Sequence, residues 1–377
     1  MNRALTVIEA NSSKRVTRGG ALDALRFLAA AFIVVFHAGD QAPIPLRSLH
    51  EFFDRGYLAT DFFLMLSGFV LASAYGPAIL SGRLTLGQFL AKRLVRNYPA
   101  HLIMLTCLVI MVAVSAAIGH KLTHPEQYAW SAIPAHLLLI HGWGFAPDTW
   151  NAPTWSISAL LACYAAFPLL WRQLQRLPRA DICLTLALIL LLGSDLLAKA
   201  LLGESEFSLP FRWALVRAFP LFVVGLLMAR LIQVADFGLT TSRVLSLGAV
   251  VVFTANVAAS GPDVVSIVAI VAVIAGCGSG VGGRRWPGAE WAAKISFSLF
   301  ITHSVSAAVY TAVPAHLLLR LHPGVLGQWA IWAGGMAFAL AVAAGFHHFV
   351  DEPIQRRLRA RLFSPRPVLR PAPAQSA

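Results

Sequence analysis

The feature that most constrains this chain is a succession of apolar runs, each close to the length that a lipid bilayer demands. A helix rises about 1.5 Å per residue, so about 20 apolar residues cover the ~30 Å hydrocarbon layer. Ten such runs fall near 21–38, 58–76, 99–118, 156–171, 181–199, 212–231, 243–259, 264–279, 294–318 and 326–350. Of the 377 residues, 58% are hydrophobic and only 12% charged. A soluble domain carries about 25% charge and has no use for so much apolar sequence. The expected fold is therefore all-α: a polytopic integral membrane protein with about ten transmembrane helices. The expected parts are a polar tail at 1–20, a membrane domain at 21–353 and an Arg- and Pro-rich tail at 354–377.

The net charge of +13 raises the question of nucleic acid. The basic residues lie in short segments between apolar runs and form no continuous face, so no nucleic-acid partner is expected. They read instead as topology determinants. With the N-terminus inside, the cytoplasmic segments hold 22 of the 30 Lys and Arg residues. This bias predicts an N-in, C-in topology. Lys14, Arg15 and Arg18 run straight into the first span, so no cleavable signal peptide is expected. Cys107, Cys163, Cys183 and Cys277 lie in apolar segments without metal-ligand spacing, and no metal is expected.

Ionisable residues inside a bilayer cost roughly 3 kcal/mol each and are functional candidates by default. The first span carries Arg26 and His37. Eleven residues apart, at about 100° and 1.5 Å per residue, they share a helix face and stand about 16 Å apart. The plainer readings are an Arg26 snorkelling beside Asp23 and an interfacial His37. The second span holds Asp61, whose carboxylate needs a cation or hydrogen-bond donors, and the Ser67-Gly68 pair, which suits close helix packing. Lys92, Arg93 and Arg96 sit at the foot of the third span, where they suit phosphate groups or simply anchor the topology. The segment 120–154 gathers Trp130, Trp143, Trp150, His124, His136, His141 and Asp148, fit for stacking on sugar rings or for an interfacial aromatic belt.

Taken in order, these segments resemble the acyltransferase-three family of bacterial membrane O-acyltransferases, from about Ala21 to Pro353. Arg26 and His37 match its first-helix pair. Asp61, Phe62, Phe63, Ser67, Gly68 and Phe69 match its second helix, and Arg93, Arg96, Tyr98 and Pro99 its basic-then-Pro segment. Trp155, Ser156, Ser158, Tyr164, Phe167 and Pro168 fit its Trp-Ser segment; Ser296, Ser298, Leu299 and His303 fit a later one, and Glu352-Pro353 closes the series. One departure stands out: Leu160 occupies a position where the family usually has Glu.

The resemblance implies transfer of an acyl group, most simply acetyl from cytoplasmic acetyl-CoA, to a hydroxyl of a lipid-linked or surface carbohydrate. Acyl-CoA would be a donor substrate, with no permanently bound cofactor. His37 would act as general base or transient acyl carrier, with Asp61 and His303 orienting it or completing a relay. Arg26, Lys92, Arg93 and Arg96 would hold the donor, Arg26 also polarising its carbonyl; Ser67, Trp155, Ser156 and Tyr164 would meet the acceptor. Leu160 implies a less polar acceptor. A proton-coupled transporter and a non-catalytic envelope partner are the competing classes, although no repeat relates the two halves. The topology is directly testable: reporters fused after Arg179 or Ala377 should signal cytoplasm and one inserted near Pro125 the outside. An external signal at Arg179 overturns the orientation.

Overall fold

The computed structural model describes residues 20–119, 125–145, 150–235, 237–280 and 284–363. These residues are helical with no strand among them. The long helices are α1 (Ala21–Ala38), α2 (Tyr57–Leu80), α3 (Leu86–Ala117), α4 (Trp155–Leu174), α5 (Ala180–Leu202) and α6 (Ala214–Val234). They continue with α7 (Leu239–Ala258), α8 (Asp263–Gly278), α9 (Ala289–Tyr310), α10 (Val325–Phe346) and α11 (Glu352–Phe363). Nine helical stretches among the described residues are long and apolar enough to cross a membrane. The chain is thus a multi-pass membrane protein.

The sequence expectation of ten spans of similar length needs four adjustments. Helix α8 has 16 residues, about 24 Å, and falls short of the bilayer thickness. Helix α3 begins well before residue 99, because Thr85 and Gln88 form a capping box that starts it. Lys92, Arg93 and Arg96 are therefore helical residues on α3, not a separate basic segment. At the other end, the expected tail at 354–377 is helical through Phe363. A π-helical turn, His347–Asp351, joins α10 to α11. The predicted span 294–318 likewise breaks at a π turn, Thr311–Ala315, which contains Pro314. Residues 1–19 and 364–377 lie outside the described part.

Helix α6 is the centre of the bundle and packs against α2, α4, α5 and α8. Its closest neighbour is α2, and glycines on both make that possible. A Cβ on Gly225 would collide with the Met65 carbonyl, and a Cβ on Gly68 with the Phe222 carbonyl. Small residues at such crossings let backbones meet where lipid offers no hydrophobic drive to associate. Around this crossing the core is filled by Phe69, Phe167, Trp171 and Phe222, all fully buried. On the other side α1 packs against α9, and α10 closes over α9. The Trp332 indole N–H donates to the Ala38 carbonyl at 2.9 Å, pinning the end of α1. Gly225→Ala should lower the thermal unfolding midpoint of the detergent-purified protein by several degrees. Gly193→Ala, where an added Cβ meets nothing within 4 Å, should leave it unchanged or raise it. Equal midpoints for the two variants would show that the α2–α6 crossing tolerates separation.

Candidate active site

A cavity of about 370 Å³ opens between the ends of α1, α2, α4 and α6, covered by the segment 207–211. Its polar lining is sparse: His37 from the last turn of α1, Tyr57 and Thr60 from the first turn of α2, Ser208 and Arg217. Most of the rest is apolar, including Phe36, Trp155, Phe207, Phe211 and Phe300. This volume suits a small organic ligand.

Two imidazoles meet at this cavity. The rings of His37 and His303 stack with centroids 5.2 Å apart and planes 22° apart. Nδ1 of His303 lies 2.7 Å from the Phe300 carbonyl. A carbonyl only accepts, so Nδ1 carries the proton and Nε2 keeps its lone pair; Nε2 is buried and has no hydrogen-bond partner. His303 is fully enclosed, whereas the His37 ring faces the cavity.

Asp61 does not join these histidines. Both of its carboxylate oxygens are taken by Arg217, which donates from Nε at 2.8 Å and from Nη2 at 2.9 Å. The same Nη2 donates to the Tyr57 carbonyl at 3.3 Å. The guanidinium also packs over the Tyr57 ring at 5.7 Å and the Trp155 ring at 5.5 Å. Asp61 is therefore a positioning group for a cation that lines the cavity. The sequence reading gave Arg217 no role, although a buried acid on one span and a buried Arg on another were visible as a potential pair.

Behind this pair, outside the membrane-spanning helices, lies Glu206. It is completely buried, and its carboxyl oxygens have no hydrogen-bond partner. Ser194, its neighbouring hydroxyl, donates instead to the Leu190 and Leu191 carbonyls. Burial pushes the Glu206 carboxyl up to about 8; the Asp61 and Asp195 charges add to this and Arg217 opposes it. Glu206 is thus a neutral acid at neutral pH beside the Arg217–Asp61 pair.

The basic residues collect at the opposite end of the bundle. Arg26 pairs with Asp23 at 3.4 Å and does not line the cavity of His37. The shared face on α1 therefore connects two separate sites, and the cation in the cavity is Arg217 rather than Arg26. Arg96 pairs with the buried Asp351 at 3.0 Å and lies over the Phe297 ring at 4.4 Å. Arg26 and Arg359 are close enough to interact with it electrostatically. Arg93 donates to the Tyr75 hydroxyl at 2.6 Å, and Lys92 sits 4.0 Å over the Phe363 ring. Asp351 is a second residue that the sequence reading gave no role.

The acceptor candidates divide. Trp155 lines the cavity. Ser67 donates to the Phe63 carbonyl at 2.8 Å and Ser156 to the Pro153 carbonyl at 3.3 Å, so both hydroxyl protons are engaged. Tyr164 sits deeper, beside Ser67 and Asn97, and borders a separate void of about 10 Å³ with Arg93 and Leu161. Leu160 is buried within the main apolar core.

Within the 120–154 segment, His124 and Asp148 lie outside the described residues. The indoles of Trp143 and Trp150 donate to the Ser158 and Ala129 carbonyls, both at 2.9 Å, so these rings are structural props; Trp130 is exposed. His101, His136 and His141 form a buried stack, with His136 and His141 centroids 3.9 Å apart. Nε2–H of His141 donates to the Thr154 hydroxyl at 3.2 Å, the Thr154 proton being given to the Asn151 carbonyl. Burial pushes the His141 imidazole down to about 2, so it is neutral.

The acyltransferase-domain model of the acyltransferase-three family matches residues 20–348, and the chain belongs to that family. It is 27% identical to the acyltransferase MdmB of Streptomyces mycarofaciens, over 92% of this chain and 94% of that protein. It is 35% identical over 130 residues to protein 2 in the picA locus of Rhizobium radiobacter. That match covers 31% of this chain and 62% of the relative, less than two thirds of its length. No solved structure matches. The protein is therefore a membrane acyltransferase.

Glu206 gives the site a pH signature. Its folded value, about 8, lies above its ordinary 4.5, so the folded state prefers the protonated form. The contribution to stability is complete below about 4.5, declines between 4.5 and 8, and is gone above 8. Glu206→Gln should keep its unfolding midpoint across that window while the wild type loses several degrees. Parallel midpoint-against-pH curves for the two proteins would exclude a buried neutral acid.

Proposed function

We propose that the enzyme transfers an acyl group, most simply acetyl, from cytoplasmic acyl-CoA to a hydroxyl of a carbohydrate-bearing acceptor at the plasma membrane. The observation that carries this reading is the cavity that holds one free-facing imidazole and one fixed guanidinium. It lies at the opposite end of α1 from a basic cluster. His37 accepts the proton of the acceptor hydroxyl as the oxygen attacks the thioester carbonyl. The carbonyl oxygen gains negative charge, which Arg217 offsets from a position fixed by Asp61. Collapse breaks the C–S bond; the thiolate leaves and takes the proton from His37. His303 packs against the His37 ring and limits its rotation.

The donor belongs at the basic end, where Arg26, Lys92 and Arg93 supply positive charge; Arg96 is largely neutralised by Asp351. Arg26 and His37 are about 16 Å apart along α1, so the flexible arm of the donor has to carry the thioester to the cavity. The apolar walls, formed by Ile33, Phe36, Trp155, Phe207, Phe211 and Phe300, favour an acceptor whose sugar is attached to an apolar body; Leu160 lies in the core and does not line them. A transporter or a non-catalytic partner has no observation in its favour that matches the paired base and cation.

The test is free-CoA release from acetyl-CoA by protein in lipid nanodiscs supplied with membrane glycolipids. His37→Ala should slow release about 10²–10⁴-fold, the usual contribution of a general base, while the variant accumulates and melts like the wild type. Near-wild-type turnover of His37→Ala overturns the mechanism.

A further inference from the structure

The π turn between α10 and α11 adds His347 to a pair, His348 and Glu352, that stands four residues apart and would share a face on any helix. On an α-helix, positions five apart stand about 140° apart around the axis. In the wider turn at His347–Asp351, Glu352 comes back towards His347. Single π turns of this kind are rare and occur frequently at functional sites. One ring nitrogen of His347, one of His348 and a carboxylate oxygen of Glu352 all lie within 4.8 Å of one another.

The details around His347 point to a cation. Its side chain is buried, with Nε2 3.9 Å from a Glu352 oxygen and Nδ1 3.8 Å from an Asp351 oxygen. Both distances are too long for hydrogen bonds, and Nδ1 is buried without a partner. Two metal–ligand bonds of about 2.0–2.2 Å span such a gap between Nε2 and the carboxylate. Asp351, behind Nδ1, is fixed by Arg96 and by Gln355, whose amide donates to it at 2.6 Å. A carboxylate behind the far nitrogen of a ligating histidine is the usual support for a bound metal. The Trp291 indole N–H, from α9, donates a long hydrogen bond of 3.4 Å to Nε2 of His348, and a metal on this imidazole takes the lone pair in its place.

We propose that His347, His348 and Glu352 form a binding site for a divalent metal of the zinc class. Two imidazoles and one carboxylate are a donor set for zinc, with a fourth position left for water or an anionic oxygen. The ion ties the π turn to α3 through Asp351 and Arg96. The sequence reading expected no metal from the spacing of the cysteines, and gave His347 and His348 no role.

The experiment uses the full chain, purified in detergent with a tag free of histidine and dialysed against chelator and then metal-free buffer. Zinc is added back in competition with a chromophoric chelator, and bound zinc is counted by mass spectrometry. The wild type should take up about one equivalent. His348→Ala removes an exposed side chain, so its fold is preserved; this variant and Glu352→Gln should each bind zinc roughly ten- to a hundredfold more weakly. His322→Ala, an exposed histidine elsewhere, should bind as the wild type does. Equal zinc binding by all four proteins, or none by the wild type, overturns the site.

Discussion

The Asp61–Arg217 ion pair is the interaction on which the rest of this structure depends. Neither residue can be charged and alone in an apolar bundle, since the desolvation cost runs to several kcal/mol per ion. Paired through two hydrogen bonds, they become tolerable, but only if α2 and α6 hold one register. Gly68 and Gly225 supply that register by bringing the two backbones into contact. The ion pair thus selects the helix crossing more than it stabilises it. The same constraint leaves Arg217 with one edge on Asp61, near the Tyr57 and Trp155 rings and among the residues that line the cavity. A cation fixed in this way needs no reorganisation when negative charge develops near it, which is the condition for electrostatic catalysis.

The second organising fact is polarity along the membrane normal. The cavity end carries His37, His303 and the ion pair, whereas the other end carries Arg26, Lys92, Arg93 and Arg96. Helix α1 is the physical link between them. An acyl donor that is charged at one end and reactive at the other matches this division better than a solute carried whole across the bilayer. The cations at the basic end are also not equivalent. Arg96 is tied to Asp351, which makes it part of the scaffold, while the Arg26–Asp23 contact at 3.4 Å is longer and partly exposed.

Much of the fold was legible because the bilayer imposes a length on every apolar run, and those runs became α1 to α10 with boundaries moved by local capping. What shifted the boundaries was local chemistry: the Thr85–Gln88 box at the start of α3, and the π turns at Thr311–Ala315 and His347–Asp351. The candidate site was legible in part. His37 and His303, nominated from different spans, do stack. Asp61 was singled out correctly as needing a partner, but its partner is 156 positions away, and no local pattern connects the two. Arg26 illustrates the opposite failure. Periodicity placed it on the His37 face, which is true of the helix and irrelevant to the cavity, because a shared face about 16 Å long reaches two different environments. Glu206 was hidden by its setting in a short connecting segment, where an acid ordinarily faces water.

The polarity of the cavity bears on the acceptor. A free polysaccharide exposes hydroxyls on every side, and each one buried without a partner costs about 1–3 kcal/mol. The lining offers few partners: Tyr57, Thr60, Ser208, His37 and Arg217, against walls of Phe, Leu, Ile, Pro and Trp. Ser67 and Ser156 do not add to them, as their protons already go to backbone carbonyls, and Leu160 contributes none. A substrate that presents one hydroxyl to His37 and an apolar flank to Phe207, Phe211 and Trp155 leaves far fewer groups unsatisfied. Such a flank also gains from leaving water, at about 25 cal/mol per Å² buried. Leu160 takes no part in this balance, since it is buried in the apolar core and is not among the residues that line the cavity.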